Sequence, residues 1–99
     1  MKPFYTLDLA VKFYSETRKL KLPLHLKNQF DRACSSVSLN LSEGSAKPTK
    51  ADRRKFYYIA LGSTRECQMV LKLHGASPEL CQQAEFLAIC IYKLCTAMR

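Results

Sequence analysis

The sequence predicts an all-α domain, an up-down-up-down antiparallel four-helix bundle occupying residues 1–99. Three observations carry that reading. Apolar or small residues recur at helical spacing in four segments. Capping and helix-breaking residues stand between the segments, and the connections they leave are short enough to fold neighbours back on one another. The helices are expected over about 6–19, 24–45, 50–74 and 78–98.

The first segment has two apolar stripes, Phe4, Leu7, Val11 and Tyr14 on one face and Leu9, Phe13 and Leu20 on the opposite one. A basic connection, Arg18-Lys19-Leu20-Lys21-Leu22-Pro23, ends it, and Pro23 suits the first turn of the second helix better than the interior of the first. The second helix has a seam of Phe30, Ala33, Val37, Leu41 and Gly44. It also carries Ser35, Ser36, Ser38, Asn40 and Ser42, mediocre helix formers that only tertiary packing holds in place. Asn40 falls near the seam, where a hydrogen-bonded polar group fixes helix register. Glu43, one turn from the basic start of the third helix, is expected to pair with Lys50 or Arg54.

Thr49, followed by Asp52 in the first turn, is an N-cap signal that starts the third helix near Lys50. Its seam is read as Phe56, Ala60, Ser63, Cys67, Val70 and His74. Gly62 costs about 1 kcal/mol relative to Ala inside a helix, which points to a close helix crossing at Gly62-Ser63. Gly75 is a natural C-cap, and His74 in the last turn faces the negative end of the helix dipole. Ser77, Pro78 and Glu79 then open the fourth helix, whose seam is Leu80, Ala84, Leu87, Ile91, Leu94 and Met98. Phe86 and Ile89 point away from that seam. With Leu9 and Phe13 they form second stripes that a lone bundle leaves in water, so association between chains through these four residues is expected.

Charge narrows the partner. Sixteen Lys and Arg against eight Asp and Glu give a net charge of +8, which favours nucleic acid or an anionic surface. The excess is not uniform. Lys47, Lys50, Arg53, Arg54 and Lys55 cluster at a turn and a helix start, with Arg53 and Arg54 expected on the solvent side of the first turn. Arg18, Lys19, Lys21 and Lys27 form a second block at the other end of an up-down bundle. Each block reads as a phosphate-binding surface, in preference to the alternative of a solvated, solubilising one.

Catalytic signatures are missing from the pattern. His25 and His74 lack sequence-local partners, three glycines make no phosphate loop, and no cofactor motif occurs, so a non-enzymatic protein without cofactor or metal is expected. The five cysteines, Cys34, Cys67, Cys81, Cys90 and Cys95, contain no Cys-x-x-Cys pair and fit reduced core thiols. The opening Met1-Lys2-Pro3-Phe4 has no apolar signal core behind it, and the longest apolar run, Phe86 to Tyr92, is too short to span a bilayer. A cytoplasmic location without membrane contact is the expectation.

Asn40-Leu41-Ser42-Glu43-Gly44, a basic spacer, Phe56-Tyr57-Tyr58-Ile59-Ala60-Leu61-Gly62-Ser63 and Glu66 together resemble the signature of a small four-helix-bundle protein family. That family includes proteins encoded in intervening sequences of bacterial 23S ribosomal RNA genes and the accessory variability determinant of diversity-generating retroelements. Leu7-Asp8-Leu9-Ala10, Phe13-Tyr14 and Lys21-Leu22-Pro23 are similar to its first helix and turn. Ser35-Ser36-Val37-Ser38 is more polar than the Ser-Ile run usual there. The resemblance implies a ring-like homo-oligomer, a pentamer in the accessory-determinant branch. It further implies binding to a reverse transcriptase and template RNA, or to DNA, in support of mutagenic cDNA synthesis. The alternative within the same family is an intervening-sequence protein acting as a structural or protein-interaction module.

Overall fold

The computed structural model describes residues 3–99, with side-chain surroundings from Phe4 onward. Met1 and Lys2, which begin the stretch without an apolar signal core, lie outside the described residues. Four helices follow in order: α1 (Pro3–Thr17), α2 (Leu24–Ser45), α3 (Lys50–His74) and α4 (Pro78–Ala97), with no strand among the described residues. No helix is long and apolar enough to cross a membrane.

Local chemistry sets the ends. The Thr49 hydroxyl accepts from the Asp52 N–H at 3.2 Å and starts α3. Gly75 closes it in the left-handed region at φ 75°, its N–H reaching the Leu71 and Lys72 carbonyls. The Ser77 hydroxyl accepts from the Leu80 N–H at 3.3 Å, with Pro78 in the first turn of α4. Pro23 stands just before α2, and its carbonyl accepts from the N–H groups of Leu26 and Lys27. Helix α1 stops at Thr17, short of Lys19, where the Arg18 and Leu20 N–H groups tighten onto the Ser15 and Thr17 carbonyls.

Side-chain contacts fix the antiparallel register. Thr17 meets Cys34 and Arg18 meets Asp31 between α1 and α2. Gln29 reaches Glu66, Ser36 reaches Ser63 and Ser45 reaches Tyr57 between α2 and α3. Arg54 touches the Met98 carbonyl and Gln68 touches Glu85 between α3 and α4. Helix α4 returns to α1, so the four helices enclose one core in a body 40 Å long. The α1–α2 connection and the α3–α4 turn therefore share one end, and the α2–α3 turn lies at the other.

Four sequence readings shift. Phe13 is fully buried, its ring 6.3 Å from that of Phe30, so it belongs to the core and not to an outward stripe. The core stripe of α1 is Thr6, Ala10, Phe13 and Thr17, with Leu7, Leu9 and Tyr14 packed partly against it, while Phe4 and Val11 are exposed. Along α3 the buried series is Tyr57, Ala60, Thr64, Cys67, Val70 and Leu71, so Phe56 and Ser63 sit at the margin and His74 is exposed. Gly62 is also exposed, and an added Cβ there meets nothing within 4 Å; the close crossing is at Gly44 instead.

At Gly44 an added Cβ would lie 2.8 Å from Tyr57 Cε1 and 3.0 Å from Phe56 Cβ. Tyr57 is completely buried, and its hydroxyl lies 3.2 Å from the Ser45 hydroxyl, so the ring has little room to withdraw. Gly44→Ala gains about 1 kcal/mol of helix propensity but forces α2 and α3 apart at a cost of about 2–3 kcal/mol. A thermal midpoint several degrees below the parent is expected by circular dichroism. An unchanged or higher midpoint would show that the helices are not this close.

Asn40 does act between helices, through a relay. Its Nδ2 donates to the Ser36 carbonyl at 2.9 Å and to the Ser36 hydroxyl at 3.0 Å, and that hydroxyl lies 2.9 Å from the Ser63 hydroxyl of α3. The small serines allow the approach that makes this interaction possible.

Candidate nucleic-acid interface

At the α2–α3 turn the five cations divide by what holds them. Lys47 pairs with Glu43 at 3.3 Å and lies 5.1 Å over the Phe56 ring, so the partner of Glu43 is neither Lys50 nor Arg54. The reason is spacing: Lys47 is four residues on, while the later cations fall beyond the turn. Arg53 donates from Nε to the Lys47 carbonyl at 2.7 Å, and Arg54 from Nη1 to the Met98 carbonyl at 3.4 Å. Both arginines are half-buried, Arg53 bracing the turn and Arg54 tying α3 to the end of α4, which corrects their expected placement on the solvent side. Each guanidinium has five N–H donors, so further donors remain beyond these bonds. Lys50 and Lys55 are exposed and enter none of the ion pairs among the described residues.

The opposite end repeats the division. Asp31 holds Arg18 at 2.8 Å and Lys27 at 2.7 Å, while Arg18 also donates to the Tyr14 carbonyl and lies 4.0 Å from the Tyr14 ring centre. The hydrogen bond from Lys27, then that from Arg18, pulls the Asp31 carboxyl below its ordinary pKa of 3.8. A depressed carboxylate stabilises the fold above that value, and its contribution fades as pH falls through the lower folded one. Lys19 and Lys21, in the connection, are exposed and outside the ion pairs found among the described residues. Two bracing arginines and two uncommitted lysines at the α2–α3 turn thus face a second pair of uncommitted lysines at the far end of a 40 Å body.

The interface residues read from the sequence separate in the same way. Phe86 and Ile89 are exposed on α4, and Leu9 is half-buried on α1. Phe13 is withdrawn into the core. Between α1 and α2, Val11, Tyr14, Ser35, Ser38 and Leu39 line a shallow apolar recess that sequence reasoning missed, because it joins residues of two helices whose register has no sequence-local sign.

The cysteines belong to the core. Cys34, Cys67, Cys90 and Cys95 are buried, Cys81 is half-buried, and all are free. Between α2 and α3, hydrogen bonding to Cys34, with burial added, pushes the Cys67 thiol up. Cys34 is lowered by the Cys67 hydrogen bond first and is further helped by the Thr17 hydroxyl at 3.6 Å. Among the described residues no three His, Cys, Asp or Glu side chains gather as a metal site.

A helical bundle with a core of its own and cations concentrated at both ends is a small basic four-helix-bundle protein. Residues 5–77, from α1 to the cap of α4, match the family described as 23S rRNA-intervening sequence protein. The chain belongs to that family. No curated protein and no solved structure gives a match.

Proposed function

We propose that this is a non-enzymatic nucleic-acid-binding accessory protein that works in the cytoplasm as a ring-like homo-oligomer. The observation that carries the reading is the set of exposed Lys19, Lys21, Lys50 and Lys55 at the two ends, which enter no ion pair among the described residues. Such a surface binds phosphates by releasing counterions and has no dedicated base-reading element, so shape and charge of the RNA decide binding more than sequence. Arg18, Lys27, Lys47, Arg53 and Arg54 add field while anchoring the turns. Anisotropy of a labelled, structured RNA at about 0.1 M salt is the direct test. Saturable binding at micromolar protein or below is expected. A flat titration would leave the basic ends as solvated surface.

In its narrower form the proposal is that of the accessory determinants: a reverse transcriptase supplies specificity, and the protein holds enzyme and template RNA together during mutagenic cDNA synthesis. Family membership in the intervening-sequence group favours a second reading, a structural or protein-interaction module. A reverse transcriptase gene with a repeated variable region beside the coding gene supports the first. Location of the coding gene inside a ribosomal RNA gene supports the second.

Association is supported by apolar surface: Phe86 and Ile89 on α4, and Val11 and Leu39 at the α1–α2 recess, are each at least two-fifths exposed. A pentameric ring would repeat each basic end as a charged belt. Phe86→Glu is expected to reduce the assembly to monomers in light scattering while leaving helicity intact. Assembly that persists in this variant would place the interface elsewhere.

A further inference from the structure

The outer face shared by α3 and α4 carries an aromatic and arginine cluster of which only Arg54 belongs to the charge blocks. The interactions of Arg54 with the Met98 carbonyl and of Arg65 with Glu85, at 3.4 Å and 4.0 Å, set the register on either side of it. Between these two points Tyr58 of α3 falls opposite Tyr92 of α4. The two tyrosines are 42% and 48% exposed, so each ring has a face open to a ligand. One turn beyond Tyr58, Gly62 presents bare backbone with open space above it. Arg99 stands seven residues beyond Tyr92 at the end of this face, and interaction with the Tyr58 hydroxyl first, then Tyr92, raises its guanidinium pKa. The carboxylate that these interactions bring in is Glu85, already bonded by Gln68 at 2.7 Å.

We infer that the α3/α4 face is a stacking platform for unpaired nucleotides, with Tyr58 and Tyr92 receiving bases and Arg54, Arg65 and Arg99 the flanking phosphates. The inference rests on the nucleic-acid reading proposed above and assigns its substrate class. Exposed tyrosines next to arginines also suit a protein partner, but the charge decides for a polyanion. Arg54 belongs both to this face and to the turn that bears Lys50 and Lys55, so a strand bound at the turn continues along α3. Duplex RNA hides the faces of its bases, whereas an unpaired segment can lay them on aromatic rings for about 1–3 kcal/mol each. Gly62 leaves the shelf unobstructed.

The test compares oligouridylate with an RNA hairpin of similar phosphate number, by anisotropy on the full chain. Tyr58→Leu with Tyr92→Leu is expected to weaken oligouridylate binding at least tenfold and hairpin binding little, and Tyr58→Phe with Tyr92→Phe to restore the parent affinity. Tyr58→Trp adds the single tryptophan of a chain that has none, and its emission should be quenched by oligouridylate and not by the hairpin. Circular dichroism of each variant identifies any that fails to fold, and the Trp variant then decides the matter. Equal oligouridylate binding by the Leu variant and the parent, absence of quenching, or polyglutamate binding as tight as oligouridylate would overturn the inference. If the parent binds neither RNA, the basic-end reading falls as well; if it binds the hairpin and only the tyrosine effects are missing, the stacking platform alone falls.

Discussion

Phe13→Ala should destabilise the fold by about 3–5 kcal/mol, a large part of the roughly 5–15 kcal/mol that holds a domain together. Phe13 has no exposed surface and sits against Phe30, where α1 closes over α2. Removing the ring loses its transfer free energy and leaves a cavity that its fully buried neighbour Phe30 cannot collapse to fill. Helix α1 is the shortest of the four and packs least extensively on the rest, so its attachment depends on few large side chains. Thermal and denaturant midpoints should both fall well below the parent. The contrast with Phe86→Glu is informative: one substitution attacks the core and the other the surface. Folded Phe13→Ala protein of parental stability that has merely lost its partners would return Phe13 to the interface.

Lys50→Glu combined with Lys55→Glu should weaken RNA binding on the order of 50–100-fold near 0.1 M salt. Each phosphate that a lysine no longer neutralises takes about 0.9 off the salt slope, which at that salt is nearly tenfold in affinity, and the new carboxylates repel the strand besides. These two lysines are chosen because both are exposed, whereas Arg53 and Arg54 are bonded to the Lys47 and Met98 carbonyls. Reversing the arginines would disturb the turn as well as its charge. A glutamate at position 50 stands at the start of α3, where a negative charge interacts favourably with the helix dipole. The folded state is thus preserved or slightly stabilised, and circular dichroism should report parental helicity and melting. Loss of binding then reports the interface and not the fold.

Helix starts and stops were legible because caps are local: Thr49, Gly75 and Ser77 each act on residues within four positions. The third and fourth helices begin where their caps put them. The rotation of α3 was harder to read. Alternating steps of three and four can start at Phe56 with a four or at Tyr57 with a three, and both series share Ala60 and Cys67; the choice is made across the helix pair, where Gly44 leaves room for Tyr57. Phe13 was misplaced for a related reason. The core stripe of α1 starts and ends on Thr6 and Thr17, which look polar in sequence, so the eye follows Phe4, Leu7 and Val11 instead. At the candidate interface the blocks of charge were visible and their internal roles were not. Whether an arginine braces a turn or meets solvent depends on which backbone carbonyl the fold brings within reach, as the Lys47 and Met98 carbonyls show. The pairing of Tyr58 with Tyr92 needs the α3/α4 register and has no sequence-local sign.

Salt dependence reports most directly whether the basic ends bind nucleic acid through phosphates. The logarithm of RNA affinity is measured against the logarithm of salt concentration for the parent and for the Lys50→Glu, Lys55→Glu variant. If the four free lysines each meet a phosphate, the parent slope should be about −3 to −4 or steeper, and the variant's shallower by about 2. A parent slope near zero, or equal slopes and affinities in the two proteins, would contradict the account.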